Sequence, residues 1–420
     1  MTSRRALLRA AGAGALLAAC DRALPAASPV PSRATVAPPT PTAIAEPSAP
    51  PIAPGPRAIR IDAARLADGR SASAVRTVSV VLRAGRIVYA GPRDGMPDVR
   101  DADVVDLGQL TVVPAMIDCH AHITGTGGSD AHARLQDPDA VLLERAFANA
   151  RVAVRAGVLA IRDLGAVRTA NVRVRDAFRP RADMPYIVAA RRRIGRRGRY
   201  VPFAVQVDSA DELHAAAMAQ LDAGADLVKI ASDGATGSAA HFTVSELKRT
   251  VDAVHAHGKK VAAHSQGLGA RVAAEAGVDT VEHGFVIDAA TATAMRGRVT
   301  LVTSLSVALA FGELDIVLPS IRAARDAGVR IATGTDAGGG PPRFGEFATE
   351  VELLVRAGLR PHEALASATR VGGEVLGVDG LGTLDAGAPA DLVFVDGDPL
   401  SDPSALRRVH TVYRAGARIV

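Results

Sequence analysis

The stretch that decides the fold is VPAMIDCHAH, residues 113–122, an apolar run that ends in two histidines. Such a short apolar run is typical of a buried strand. Residues two positions apart on an extended strand point to the same face, so His120 and His122 can bind one metal ion. This spacing is a weak signal by itself. Its meaning depends on which other residues join the two histidines.

Downstream of this stretch, short apolar runs alternate with amphipathic segments. The runs predict eight strands: Val112–Ile117, Val158–Leu164, Tyr186–Ala189, Leu227–Ala231, Lys260–His264, Thr280–His283, Thr300–Ser304 and Arg330–Thr335. The segments predict helices that include Leu142–Ala156, Ala210–Ala223, Val244–His257, Gly269–Ala276 and Leu318–Ala327. This α/β pattern fits a (β/α)8 TIM barrel or a doubly wound sheet. The barrel is favoured because polar residues recur at the C-terminal strand ends, where barrel enzymes carry their sites.

Four of these strand-end residues are candidate partners for the two histidines: Lys229, His264, His283 and Asp336. In a closed barrel the strand ends converge around one axis. Nitrogen and oxygen ligands of this kind suit Zn²⁺ and its transition-metal neighbours. Lysine occurs at four positions against 45 arginines. A buried amine, unlike a guanidinium, can lose its proton and add CO₂ to give a carbamate that bridges two cations.

Both ends of the chain outside this region have the pattern of antiparallel β structure. The strands predicted there are Arg76–Leu82, Arg86–Tyr89, Asp103–Leu107, Ala390–Val395, Val409–Tyr413 and Arg418–Val420. Gly, Pro and Asp separate them, as is typical of turns. We therefore expect one small β-sandwich made from residues 57–111 and 380–420, beside a barrel of residues 112–379.

The first 56 residues have the pattern of an export signal followed by a tether. Arg4 and Arg5 precede an apolar run of residues 10–19 that is too short to span a bilayer, which is typical of a secretory signal. Residues 17–20, LAAC, resemble a bacterial lipobox, which predicts a signal peptide over residues 1–20 and lipidation of Cys20. Residues 21–56 contain 11 of the 25 prolines and predict a disordered tether. These features predict an exported lipoprotein of the bacterial cell envelope, anchored at the periplasmic or the outer surface.

Composition excludes several classes of protein. The formal charge of +5 falls to +2 once Arg4, Arg5 and Arg9 leave with the signal peptide. With 13 aromatic residues and no tryptophan, the chain is not expected to bind nucleic acid. Two cysteines are too few for a disulfide framework. A small-molecule substrate is the expected partner, and a homo-oligomer is compatible with the sequence.

The motifs together resemble the metal-dependent amidohydrolase superfamily, in its imidazolonepropionase-like and prolidase-like dipeptidase branch. They follow the family's order from about residue 58 to the end. The segments that carry the resemblance are residues 113–122, Ile161–Gly165, Val228–Ile230, Ala263–Ser265, Val281–Gly284, Gly334–Gly338 and Gly387–Val393. The sequence departs from the family at Pro114-Ala115, where Pro-Gly is usual. It also lacks the histidine that relatives often carry in the loop after the third strand.

The resemblance implies a binuclear metal centre, which we expect to hold zinc. His120 and His122 would bind one metal with Asp336, and His264 and His283 the other. Carboxylated Lys229 would bridge the two. A hydroxide shared by the metals would attack an amide carbonyl, while Asp336 moves the proton to the leaving nitrogen.

The loop after the third strand, residues 190–200, contains six arginines and Tyr200. A run of this kind is either solvated or clamps a substrate carboxylate, for which Arg197 and Arg199 are the candidates, with Tyr200 at the carbonyl. His132 and His241 lie in other strand-to-helix loops and are further candidate contacts. Arg162 and Asp163 are expected to form an ion pair beneath the site.

The expected activity is hydrolysis of an amide bond in a dipeptide or an N-acyl amino acid. Two alternatives remain open at this point. In the first, the same site hydrolyses a cyclic amide, a lactone or a phosphoester. In the second, the protein is a catalytically dead lipoprotein that binds ligands at the cell surface.

Overall fold

The computed structural model describes residues 57–128, 133–201, 203–234 and 238–420. The predicted signal peptide, Cys20, the tether of residues 21–56 and His132 lie outside these residues. Within the described ranges, no helix combines the length and the apolar character that crossing a bilayer requires.

The described residues contain eighteen strands and eleven α-helices. The strands are β1 Ile59–Leu66, β2 Val75–Arg83, β3 Arg86–Pro92, β4 Asp103–Asp106, β5 Thr111–Pro114, β6 Met116–Ala121, β7 Val158–Asp163, β8 Tyr186–Ala189, β9 Ile194–Arg196, β10 Val205–Val207, β11 Leu227–Ala231, β12 Lys260–Ser265, β13 Thr280–His283, β14 Thr300–Thr303, β15 Arg330–Thr333, β16 Leu392–Val395, β17 Val409–Arg414 and β18 Ala417–Arg418. The helices are α1 Asp139–Arg155, α2 Ala170–Phe178, α3 Ala210–Asp222, α4 Val244–Ala256, α5 Gly269–Ala276, α6 Ala289–Met295, α7 Leu305–Ala310, α8 Leu314–Asp326, α9 Phe347–Arg356, α10 Pro361–Ala368 and α11 Arg370–Leu376.

Eight parallel strands form the barrel, in the order β6, β7, β8, β11, β12, β13, β14 and β15. Between β8 and β11, the Asp226 N–H donates to the Ala189 carbonyl at 2.9 Å. The ring closes where the His122 N–H donates to the Ala337 carbonyl at 2.8 Å. The predicted (β/α)8 barrel is confirmed, and the doubly wound alternative is wrong.

The helices around the barrel begin and end at residues that satisfy their free backbone groups. Thr243 and Glu246 form a reciprocal capping box at the start of α4. Gly277 ends α5 in the left-handed conformation, with φ of +86°. Predicted and observed helices agree closely, except that α8 begins at Leu314 rather than Leu318 and contains Pro319.

The β domain is one continuous sheet built from both ends of the described chain. Its strand order is β18, β17, β16, β5, β1, β2 and β3, and β4 also pairs with β1. The sheet encloses a core that includes Val80, Leu82, Val112 and Phe394. Each such fully buried side chain contributes about 1.5–3 kcal/mol.

The strand expected over residues 112–117 is in fact two strands that belong to different sheets. β5 pairs with β16, with Val113 opposite Val393, whereas β6 pairs with β7 in the barrel. Pro114 has no backbone N–H to continue a ladder. The next amide, that of Ala115, donates to the Asp391 carbonyl at 3.1 Å, and the chain then enters the barrel.

Candidate metal centre

The C-terminal ends of the barrel strands bring the expected ligands together. One ligand atom each from His120, His283 and Asp336 lies within 4.8 Å of the other two. His122 joins them, with its Nε2 atom 3.0 Å from Oδ1 of Asp336. The rings of His264 and His283 lie 4.6 Å apart. Strands β6, β12, β13 and the turn after β15 therefore direct five of the predicted side chains to one point.

Two of these residues have strained backbones. His283 has φ of +72° and Asp336 has φ of +56°, both in the left-handed region that favours glycine. Such a residue costs about 1–3 kcal/mol and persists only where its surroundings fix it. For Asp336 one such contact is its N–H, which donates to the His120 carbonyl at 2.7 Å.

Each of three imidazoles is held on its outer side by a polar atom. The Nδ1 atom of His122 lies 2.7 Å from the Gly165 carbonyl oxygen, and that of His120 lies 3.0 Å from Oε2 of Glu282. The Nδ1 atom of His283 lies 2.6 Å from the Ser304 hydroxyl. In the tautomer that donates through Nδ1, Nε2 keeps the free lone pair that a metal needs.

Burial keeps these imidazoles neutral. It lowers the pKa of His120 to about 3 and lowers the pKa values of His264 and His283 well below the ordinary histidine value. The Asp336 carboxylate behaves differently. Although burial disfavours its charge, its electrostatic interaction with His120 and its hydrogen bond with His122 hold its pKa well below the usual range. Neutral imidazoles and an ionised carboxylate are the forms that bind a divalent cation.

Lys229, on β11, is a buried amine that lacks a hydrogen-bond partner among the described residues. It is 2% exposed. Burial lowers its pKa to about 7. A buried amine without an acceptor is costly as a cation. The donor set and this orphaned amine therefore fit a divalent metal centre better than a purely structural core.

Glu282 was not singled out in the sequence, yet its Oε2 atom lies 3.0 Å from Nδ1 of His120. Its Oε1 atom accepts a hydrogen bond from Nη2 of Arg162 at 2.7 Å, and both side chains are buried. Burial disfavours the charged carboxylate, but Arg162 and Lys229 hold its pKa well below the ordinary value. The expected Arg162–Asp163 ion pair is wrong, because the Asp163 carboxylate accepts from the backbone amides of Ile123 and Gly165.

The arginine-rich loop forms the short strand β9, which pairs with β10 and β11. This pairing directs Arg193 toward the metal ligands, with Nη2 3.2 Å from Nε2 of His122. Its Nη1 atom donates to the Tyr200 hydroxyl at 3.4 Å. The ring of Tyr200 in turn lies 4.9 Å from that of His264.

Two arginines that the sequence singled out have other surroundings. Arg197 is exposed and pairs with Asp208 at 2.7 Å, because β9 turns its side chain outward. Arg199 is exposed as well. The structure thus leaves Arg197 and Arg199 exposed, whereas it places the guanidinium of Arg193 beside His122. His241 is buried, which lowers its pKa, and its N–H donates to the Ser232 carbonyl at 2.7 Å.

A closed (β/α)8 barrel with histidine, aspartate and lysine at its C-terminal strand ends defines a metal-dependent hydrolase. The chain belongs to the amidohydrolase family, whose model matches residues 111–419. It is accordingly a metal-dependent hydrolase that acts on carbon–nitrogen bonds of small-molecule substrates.

Three relatives illustrate the range of the family. An uncharacterised protein of Mycobacterium tuberculosis is 30% identical over 73% of this chain and 84% of its own length. An imidazolonepropionase of Rhizobium meliloti is 29% identical over 80% of this chain and 87% of its own. The solved structure of an Xaa-Pro dipeptidase with methionine in its active site is 28% identical, with a TM-score of 0.76 over 86% of this chain and 99% of that one.

Proposed function

We propose that this protein is a binuclear amidohydrolase that cleaves the amide bond of a dipeptide or an N-acyl amino acid. The observation that carries the proposal is the buried, unpartnered amine of Lys229 at the strand ends. With a pKa of about 7, much of this amine is neutral near pH 7 and able to attack CO₂. The nitrogen forms a bond to the carbon of CO₂ and releases a proton to solvent, which leaves an anionic carbamate.

This carbamate completes a ligand set for two cations. His120, His122 and Asp336 would hold one, His264 and His283 the other, and the Lys229 carbamate both. Zinc is the metal we propose, since imidazole and carboxylate are its usual ligands. When bound, two such cations supply Lewis acidity, which lowers the pKa of water from about 15.7 toward 7 and polarises a carbonyl group.

Asp336 is the residue we assign to proton transfer. Its carboxylate is ionised at neutral pH, because the neighbouring imidazoles hold its pKa low despite burial. It can therefore accept a proton from the attacking water and deliver it to the leaving nitrogen, acting as general base and then as general acid. Its strained, fixed backbone keeps the carboxylate in place through both transfers.

Arg193 supports a substrate that carries a carboxylate. Among the described residues it forms no ion pair with an acidic side chain, although its guanidinium lies 3.2 Å from His122. Bound cations would add further positive charge beside it, so an anionic group is needed to balance the site. A guanidinium holds a carboxylate through two parallel hydrogen bonds. Tyr200, whose hydroxyl is 3.4 Å from Arg193, would contact the scissile carbonyl.

The likeness to an Xaa-Pro dipeptidase supports a dipeptide with a bulky C-terminal residue such as proline. The likeness to an imidazolonepropionase, an enzyme named for a ring-containing substrate, supports hydrolysis of a cyclic amide as the second candidate. Both candidate substrates would use the same metal ligands. The dipeptide and the cyclic amide therefore differ in the group that Arg193 would hold.

The test combines metal analysis with a substrate panel. Mass spectrometry of the purified protein should find two divalent metals per chain. Dipeptides and N-acyl amino acids should be cleaved, and their C-terminally amidated counterparts should be poorer substrates. Cleavage confined to cyclic amides, lactones or phosphoesters would favour the second reading of the site. Two bound metals without turnover of any compound would indicate a binding protein instead.

We also propose that the mature protein is a lipoprotein of the bacterial cell envelope, anchored through Cys20. Arg4 and Arg5, the lipobox of residues 17–20 and the proline-rich residues 21–56 support this location. The tether would hold the hydrolase domain away from the lipid surface, up to roughly 100 Å at about 3 Å per residue.

A further inference from the structure

We propose that Glu350 is a positioning residue for the metal centre, acting through Ser304 on the imidazole of His283. Glu350 lies on α9 and is fully buried. Its Oε1 atom accepts hydrogen bonds from the Thr303 hydroxyl at 2.8 Å and the Leu305 amide at 2.6 Å. Its Oε2 atom accepts from the amide and the hydroxyl of Ser306, at 2.7 and 2.6 Å. The inference rests on the proposed function, because it assigns His283 to a metal.

The four donors to Glu350 surround Ser304. Thr303 precedes it at the end of β14, and Leu305 and Ser306 follow it in the first turn of α7. The amides of a first turn have no acceptor inside their own helix. One carboxylate with two acceptors on each oxygen satisfies all four donors, whereas a glutamine amide offers only one such oxygen. Glu350 therefore fixes the backbone on both sides of Ser304.

Ser304 in turn orients His283. The two side chains meet at 2.6 Å, between the Ser304 hydroxyl and Nδ1 of His283. His122 is held by a backbone carbonyl, which cannot rotate, and His120 lies beside the carboxylate of Glu282. His283 depends on a hydroxyl whose direction follows the local backbone. Its own backbone is left-handed, with φ of +72°, so an outside contact is needed to hold it.

These contacts make one path from α9 to a ligand: Glu350 fixes the turn after β14, the turn fixes Ser304, and Ser304 fixes the ring that faces the other ligands. A carboxylate with a purely structural role would stabilise the fold without affecting the metal. The two roles differ in their effect on metal affinity at a folded site. Residues that orient a metal-binding histidine typically contribute 10–100-fold in metal affinity.

The test uses Co²⁺ as the probe and the full chain as the protein. Glu350→Gln and Ser304→Ala should each lower the affinity for one of the two Co²⁺ ions by roughly 10–100-fold. Each variant should also change the visible absorption of the cobalt-loaded protein. The double variant should bind Co²⁺ no more weakly than Glu350→Gln does, since both changes interrupt the same path. Glu352→Gln is the matched control: it lies on the same helix, pairs with Arg407 at 2.6 Å, and should bind as the unmodified protein does.

Wild-type Co²⁺ affinity and absorption in Glu350→Gln, with only a lower melting temperature, would overturn the inference. Normal binding in Ser304→Ala would do the same. If Glu350→Gln does not fold, Thr303→Val removes one of its donors at similar shape and should give a smaller loss of affinity; no loss would count against the path. Failure of the unmodified protein to bind any Co²⁺ would instead contradict the proposed function.

Discussion

The backbone amide of Asp336 donates a hydrogen bond to the carbonyl oxygen of His120 at 2.7 Å. This contact joins the turn after the last barrel strand to the first strand. It also places the Asp336 carboxylate beside the imidazoles of His120 and His122, at 3.5 and 3.0 Å. Closing the barrel and assembling the candidate metal centre are therefore the same structural event.

Lys229→Arg should lose at least one metal and nearly all turnover, because a guanidinium cannot form the carbamate. Lys229→Ala should be equally inactive, but its cavity would admit formate or acetate and partly recover activity. Metal analysis and rates with and without these acids check the prediction. Lys248→Arg is the control, since Lys248 is exposed and pairs with Asp252. Two metals and near-normal rates in Lys229→Arg would exclude a bridging carbamate.

Arg193→Ala should lower kcat/KM for a substrate with a free carboxylate. The fall should correspond to a loss of roughly 2–5 kcal/mol in transition-state stabilisation. The corresponding amidated substrate should lose much less, because it has no charge for Arg193 to hold. Arg197→Ala should have little effect, since Arg197 is exposed and bound to Asp208. Steady-state kinetics on the paired substrates measure the difference. Equal losses on acid and amide would assign Arg193 a structural role only.

Arg162→Met should destabilise the metal-free protein by roughly 3–5 kcal/mol, because it leaves the buried Glu282 carboxylate without its arginine partner. Arg356→Met is the comparison, since it breaks an exposed pair with Asp315 that should contribute no more than about 1 kcal/mol. Urea unfolding of both variants gives the two values. Similar losses would show that the Glu282 pair does not hold this end of the barrel.

The metal-free protein should lose stability as the pH falls below about 6.5. Burial lowers the pKa values of His120, His264 and His283, so the unfolded chain binds more protons than the folded one. Stability then falls toward pH 3, by about 1.4 kcal/mol per pH unit for each histidine. Unfolding free energies across this range measure the slope. His120→Gln should make this slope shallower; an unchanged slope in that variant would refute the assignment.

Cys20→Ala should release the protein from the membrane fraction if Cys20 carries the lipid anchor. Cell fractionation and metabolic labelling with a fatty acid check this. Cys119→Ala is the matched control, because Cys119 is buried at the end of the barrel and inaccessible to lipidation. Unchanged membrane retention of Cys20→Ala would contradict the proposed anchor.

The barrel could be predicted from the sequence because its signal is local and repeated. Each strand is a short apolar run that carries a polar residue in or just after its C-terminal half, as β12 carries His264. Parallel strand ends meet at one edge, so residues far apart in the sequence were expected at one point. The structure brings those side chains together, and the family to which the chain belongs is the one that their pattern resembles.

Other features depend on tertiary contacts that no local pattern carries. Along a regular strand, neighbouring side chains point to opposite faces. The sequence therefore did not place the side chains of Glu282 and His283 at the same site. The left-handed backbone of His283 breaks that alternation. The positions of Arg193, near the ligands, and Arg197, in solvent, likewise follow from the pairing of β9 with β11. An arginine-rich sequence does not reveal that pairing.

The pairing of Val113 with Val393 also has a consequence for the order in which the molecule is made. β5 continues almost directly into β6, the strand that carries His120, yet its neighbour β16 belongs to the far end of the sequence. During synthesis one edge of β5 therefore stays unpaired until residues 392–395 leave the ribosome. Such long-range pairing slows folding and exposes the nascent chain to aggregation. Truncations that remove β16 should consequently be far more damaging than their distance from the catalytic side chains suggests.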